Sequence, residues 1–235
     1  MAKISNQMNK IIALIIIGSV LFGCKAKIPE KVENQEKVAY NQKLADELKK
    51  MVEIDQIAAF IPEGIYKDMT SAEWTSFKDS VFTTHQKRLN QIFDTFGFVG
   101  FDLVGQEGSQ NFWLMVQHCD HNKDFQIAVL EKMEIAVTKG NAQPSNYGLL
   151  LDRVLINTNK KQIYGTQVTY NFKTGQAYPQ PLKDSTSVNE RRKSIGLEPL
   201  EKYLNEMTEM HFEMNKNGYL KELGISKPKL YEIKE

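Results

Sequence analysis

Cysteine, arginine and histidine are all scarce in this chain, and neither sign of charge dominates it. Two cysteines in 235 residues are too few for a disulfide scaffold. A net charge of +1, from 30 basic and 29 acidic residues, leaves no electrostatic footprint for DNA or RNA, so no nucleic-acid partner is expected. With 41% hydrophobic residues the chain is too apolar to be disordered. Its one long apolar run, residues 11–22, falls short of the roughly 20 residues that a membrane-spanning helix needs. A serine elbow, a phosphate loop and a metal-ligand signature are also missing, so no metal or cofactor is expected.

What is present begins with an address. Lys3 and Lys10 precede the apolar run, which ends in Leu21-Phe22-Gly23-Cys24. The pattern suits a secretory signal peptide, and its last four residues resemble a bacterial lipobox. That resemblance implies removal of residues 1–23 and lipidation of Cys24, which makes the membrane a partner. Lys25 follows the cysteine where an aspartate would favour inner-membrane retention, so the expected location is the cell envelope, on the periplasmic face of the outer membrane. Residues 24–36 then read as the lipidated cysteine and a polar tether, and 37–235 as a single domain. The mature chain keeps one free thiol, Cys119, and no disulfide within it is expected.

Apolar spacing in the body is mostly helical. Leu44, Leu48, Met51, Val52 and Ile57 mark a helix over 36–60. Thr70 and Glu73 form a capping box for a helix that ends at Gly97. A glycine-punctuated loop is expected over 97–108, then helices over 112–118, 125–138 and 147–157. The Ile, Tyr, Thr and Val content of 162–170 favours a strand, and Lys173-Thr174-Gly175 a hairpin turn into 176–182. Ser187 and Glu190 suggest a second capping box, and Pro199 the start of a final long helix. The expected fold class is therefore α+β, mainly α: one helical domain with a small antiparallel hairpin.

Scarce residues cluster within this frame. Only four of the 30 basic residues are arginine (Arg88, Arg153, Arg191 and Arg192), and arginine offers a planar fork that lysine lacks. His85 and Arg88 share the apolar face of one helix, where a histidine is either a core residue or a site residue. Gln117, His118, Cys119 and Asp120 are consecutive; His118 and His121 have the spacing of a weak metal pair, and Cys119 suits a small buried hydrophobe better than a nucleophile. Asp152 and Arg153 stand in an otherwise apolar helix, where they need partners, either each other's elements or a ligand. A bulge at Gly165 would bring Gln162, Tyr164 and Gln167 to one face of the hairpin.

These motifs, with Asp55, Gly105, Trp113, Gln126, Arg192 and Gly196-Leu197-x-Pro199, resemble the bacterial domain-of-unknown-function family 6624 over about residues 40–205. The most specific of them is Gln162-x-Tyr164-Gly165-Thr166-Gln167. The resemblance implies no established activity; a small residue is common in that family where Cys119 stands, which demotes the thiol further. Three readings follow. A cleft lined by His85, Arg88, Gln117, His118, Asp120, Asp152, Arg153, Gln162, Tyr164 and Gln167 binds a small polar or anionic ligand or a peptide. Alternatively, His85 or His118 acts as general base of a hydrolase-type enzyme, oriented by Asp120 or Asp152, with Arg153 stabilising charge. In the third, the whole set is a buried polar network.

Overall fold

The computed structural model describes residues 39–233. The expected signal peptide, Cys24 and tether lie outside the described residues. Helix α1 (Gln42–Ala59) starts where the Asn41 side chain accepts a hydrogen bond from the Leu44 amide, some residues later than the apolar pattern suggested. It buries Leu44, Leu48, Asp55 and Ala58, one stripe at helical spacing. A 3-10 turn at Gly64–Tyr66 leads to α2 (Ser71–Phe96), which opens on the expected Thr70–Glu73 capping box and ends at Gly97, φ +70°.

The expected loop over 97–108 is instead the first half of α3 (Phe101–Gln117). Its three glycines do three different things. Gly100 precedes the first turn, which Asn141 clasps by exchanging hydrogen bonds with the Asp102 amide and carboxylate. Gly105, φ +73°, breaks the helix direction, and Gly108 lies so close to Val104 that a Cβ would meet that side chain at 2.7 Å. Helices α4 (Lys123–Thr138, capped by Asn122) and α5 (Pro144–Asn157) complete a bundle. Leu48, Leu89, Ile92, Phe112, Met115, Val116, Val129, Met133 and Leu150 fill its core.

Strands β1 (Val168–Tyr170) and β2 (Ala177–Pro179) form the two-stranded antiparallel sheet, pairing Thr169 with Tyr178. The strand expected over 162–170 is thus shortened; beyond it the Gln180 amide donates to the Gln167 carbonyl, and an isolated bridge of parallel type joins Gln162 to Leu182. Helices α6 (Val188–Ser194), α7 (Leu200–Asn215) and α8 (Tyr219–Glu222) follow. Ser187 does not cap α6, because its hydroxyl bonds Asp184 instead. Ala177, Val188, Leu200 and Leu204 make a second, smaller core beneath the hairpin. The fold is α+β and mainly α, as the patterning implied. Among the described residues, no helix is long and apolar enough to cross a membrane.

Candidate functional site

Packing of α1, α2 and α3 brings together three residues that are remote in sequence. Asp55 stands near the end of α1, His85 in the middle of α2, and His118 at the C-cap of α3. Asp55 has no accessible surface. One of its oxygens, Oδ2, lies 2.7 Å from His118 Nδ1 and accepts a further hydrogen bond from Gln56 at 3.2 Å. The other, Oδ1, lies 3.6 Å from His85 Nδ1, beyond hydrogen-bond reach. Both of those atoms are buried and have no partner among the described residues. The Phe82 ring, 5.2 Å from that of His118, packs against it. Burial pushes the Asp55 carboxyl upward, but the hydrogen bond of His118, with the His85 ring and Gln56 beside it, outweighs it, and the net position is below the usual aspartate value.

The chemistry of the trio follows from which nitrogens are engaged. An imidazole held at Nδ1 by a carboxylate has its orientation fixed and presents Nε2 as the working atom. Both rings face Asp55 with Nδ1, and among the described residues neither Nε2 has a hydrogen-bond partner. Their side chains remain slightly exposed, that of His118 more than that of His85. The arrangement can therefore offer two oriented imidazole edges, as hydrogen-bond donors, acceptors or proton carriers.

The other expected site residues fall into separate groups whose polar atoms are engaged within the protein. Arg88 turns away from His85 and makes a two-pronged pair with Glu47 of α1, at 2.5 and 3.0 Å. Asp120 receives Arg153 through Nε at 2.8 Å and Nη2 at 2.6 Å, and is further bonded by Asn157 and Gln126. Burial raises the Asp120 carboxyl and the Arg153 bonds lower it, with a net shift downward. Gln117 is buried with its amide oxygen positioned to accept from Leu150 N and Trp113 Nε1. Cys119 is buried, its thiol donating to the Met115 carbonyl; burial, followed by the charges of Asp55 and Asp120, pushes the thiol up to about 12. It is a small hydrophobe with no thiolate to offer.

Asp152 and the Gln162–Gln167 motif form one structural unit. The Asp152 carboxylate, fully buried, accepts from the amides of Ile163, Tyr164 and Thr166 and from the Thr166 hydroxyl, all between 2.7 and 3.1 Å. Gly165, φ +73°, supplies the backbone reversal that points these amides inward. Gln162 is likewise fully buried; it donates to the carbonyls of Gln167 and Gln180 and accepts from the Gln167 amide. The Gln167 side chain bonds Thr166, and Tyr164 contributes its backbone to Asp152 and Arg192. Over 163–166 the amides of Ile163, Tyr164 and Thr166 go to Asp152 and not to a strand partner, while the backbone of Gln162 and Gln167 still bonds across to 180–183. Neither Asp120 nor Asp152 orients a histidine; Asp55 does.

A family profile, described as a family of unknown function (DUF6624), matches residues 42–214. The chain belongs to this family. No curated protein and no solved structure matches it. The DUF6624 match spans all three residues of the trio and the whole Asp152 unit.

Within this DUF6624 domain, Asp55 is the residue that sequence reasoning left outside the site. A signal for it existed: an aspartate seven residues after Leu48, at a core position of the α1 stripe. Arg192 is the second. It is 1% exposed, donates to the carbonyls of Glu198 and Tyr164, and lies over the Tyr203 ring at 5.0 Å. His121 is exposed and takes no part in the trio. Among the described residues, no group of three or more His, Cys, Asp and Glu is placed to hold a metal ion.

Proposed function

We propose that this protein is a lipid-anchored bacterial envelope protein that binds a small polar or anionic ligand at His85 and His118, with Asp55 holding the ring of His118 and facing that of His85. The anchor rests on the lipobox-like residues 21–24, and Lys25 standing where an aspartate would favour inner-membrane retention supports the periplasmic face of the outer membrane. The ligand site rests on one observation: two imidazoles turn Nδ1 toward a single buried carboxylate, which leaves two Nε2 atoms as oriented recognition tips.

Asparagine separates the structural from the recognition role, because its amide nitrogen imitates Nδ1 while nothing replaces Nε2. The expected result is that some member of a metabolite and short-peptide panel raises the melting temperature of the wild type. His85→Asn and His118→Asn should melt near the wild-type temperature and lose that response. A panel that moves nothing, or a response that survives in both variants, overturns the reading. Replacing Cys24 with serine should abolish palmitate incorporation and release the protein from the membrane fraction.

The 2.7 Å approach of His118 to Asp55 favours a second reading, a hydrolase-type enzyme with His118 as general base. Turnover of ester or phosphoester chromogens that is present in the wild type and absent in His118→Asn would select it over binding alone.

A further inference from the structure

The ends of α1 and α7 wall a trough that shares Gln56, the donor to Asp55, with the proposed ligand site but neither of its histidines. On one side stand Ile57, Phe60 and Ile61; on the other stand Met210 and Met214, one turn apart on α7. The Gly64–Tyr66 turn closes one end, with Ile65 88% exposed and Phe60 65% exposed. The cavity measures about 720 Å³, and these large apolar side chains are its main lining. Isolated exposed hydrophobes need no explanation, but a contiguous apolar trough between two helix faces does.

We infer that this trough receives an amphipathic helix with a basic rim. Ile57 with Phe60 and Ile61 just past the end of α1, facing Met210 and Met214 one turn apart on α7, form an apolar groove into which a helix can pack a ridge of its own. Methionines on one wall suit such a partner, since the unbranched thioether adapts to different side chains. Charge selects the rim. Glu53 and Glu63 line the trough and, among the described residues, no lysine or arginine does. Glu206 and Glu213 of α7 lie one turn either way from Met210, although Glu213 already pairs with Lys216. An acidic border repels the headgroups of an anionic bilayer and attracts lysine or arginine on a helix.

The test uses purified protein and two synthetic peptides of about 14 residues, roughly four helical turns. One is a leucine/lysine amphipathic helix carrying a fluorophore, the other its leucine/glutamate counterpart. Anisotropy should show saturable binding of the lysine peptide, weakened by salt, and none of the glutamate peptide. Ile65→Asp and Met210→Asp should each weaken binding by roughly tenfold or more, as loss of a groove anchor does. Glu63→Lys, an exposed change that does not endanger folding, should weaken it by roughly threefold and flatten the salt dependence. Equal binding of both peptides, or binding unchanged in the three variants, overturns the inference. So does occupation of the trough by something else. Binding to anionic vesicles, or a dimer in light scattering, that is abolished by Ile65→Asp would reveal such an occupant.

Discussion

A carboxylate with no accessible surface has to find its compensation inside the protein, and for Asp55 that means His118, His85 and Gln56. The depressed position of its pKa, from an ordinary 3.8, carries a prediction about acid. A group lowered on folding contributes stability that is present above the unfolded value and is lost as pH falls through the folded one. Asp55→Asn should therefore cost roughly 1–3 kcal/mol near neutral pH, where it removes a charged hydrogen-bond acceptor from a buried site. Below about pH 4 that difference should shrink, because the carboxyl of the unfolded chain takes up its proton first and, at lower pH, the folded one follows. Urea unfolding of both proteins at neutral pH and near pH 3 reads the two differences directly. Glu47 and Asp120 are depressed in both proteins, by Arg88 and Arg153 respectively, so their acid losses cancel in the comparison. A gap that stays constant across that range would mean that folding does not shift the Asp55 pKa.

Individual elements differ in how local their causes are, and that decides what a sequence can reveal. The segment from Gln162 to Gln167 is ordered by Asp152, a side chain from another element, which accepts three of its amides. Asp152→Ala should cost at least about 3 kcal/mol, since it leaves three buried donors unpaired. Chemical denaturation measures the loss, and amide exchange at Ile163, Tyr164 and Thr166 should accelerate in step. Where the cause is local, reading is straightforward: Thr70 and Glu73 cap their own helix, and Gly97 ends it. The Lys173-Thr174-Gly175 turn also does what its residues favour, with Gly175 at φ +70°. Helix α3 was hidden because its first turn depends on Asn141, about forty residues downstream, and its glycines read as loop. The same distinction holds for the trio. His85 and His118 stand out in sequence by their scarcity. Asp55 is one acid among many, and only the packing of α1 against α2 and α3 gives it a meaning.

On the scale of the whole molecule, two apolar cores are joined through a polar seam. The larger core belongs to α1 through α5, the smaller to the hairpin, α6 and α7. Between them runs the 163–166 loop, gripped from the bundle side by Asp152 and from the other side by Arg192 and Tyr203. Arg192 cannot be solvated there: burial pushes its guanidinium down from the ordinary value, while the Tyr203 side chain and the Asp152 carboxylate hold it up. It stays protonated, because arginine is not deprotonated in proteins. Replacing it by leucine keeps much of the bulk, removes both donors and leaves Asp152 without its nearest buried cation. The expected loss is about 3–5 kcal/mol, the range for breaking a buried charge pair by removing one partner. Its distribution matters more than its size. The smaller core has few apolar residues, so it should open as a unit before the bundle does. In Arg192→Leu, native-state hydrogen exchange should therefore rise across Val168–Tyr170, Ala177–Pro179 and α7, while the amides of Leu48, Met115 and Met133 exchange at wild-type free energies. Uniform acceleration in both cores would instead show that the seam couples them into one cooperative unit, with Arg192 stabilising the molecule as a whole.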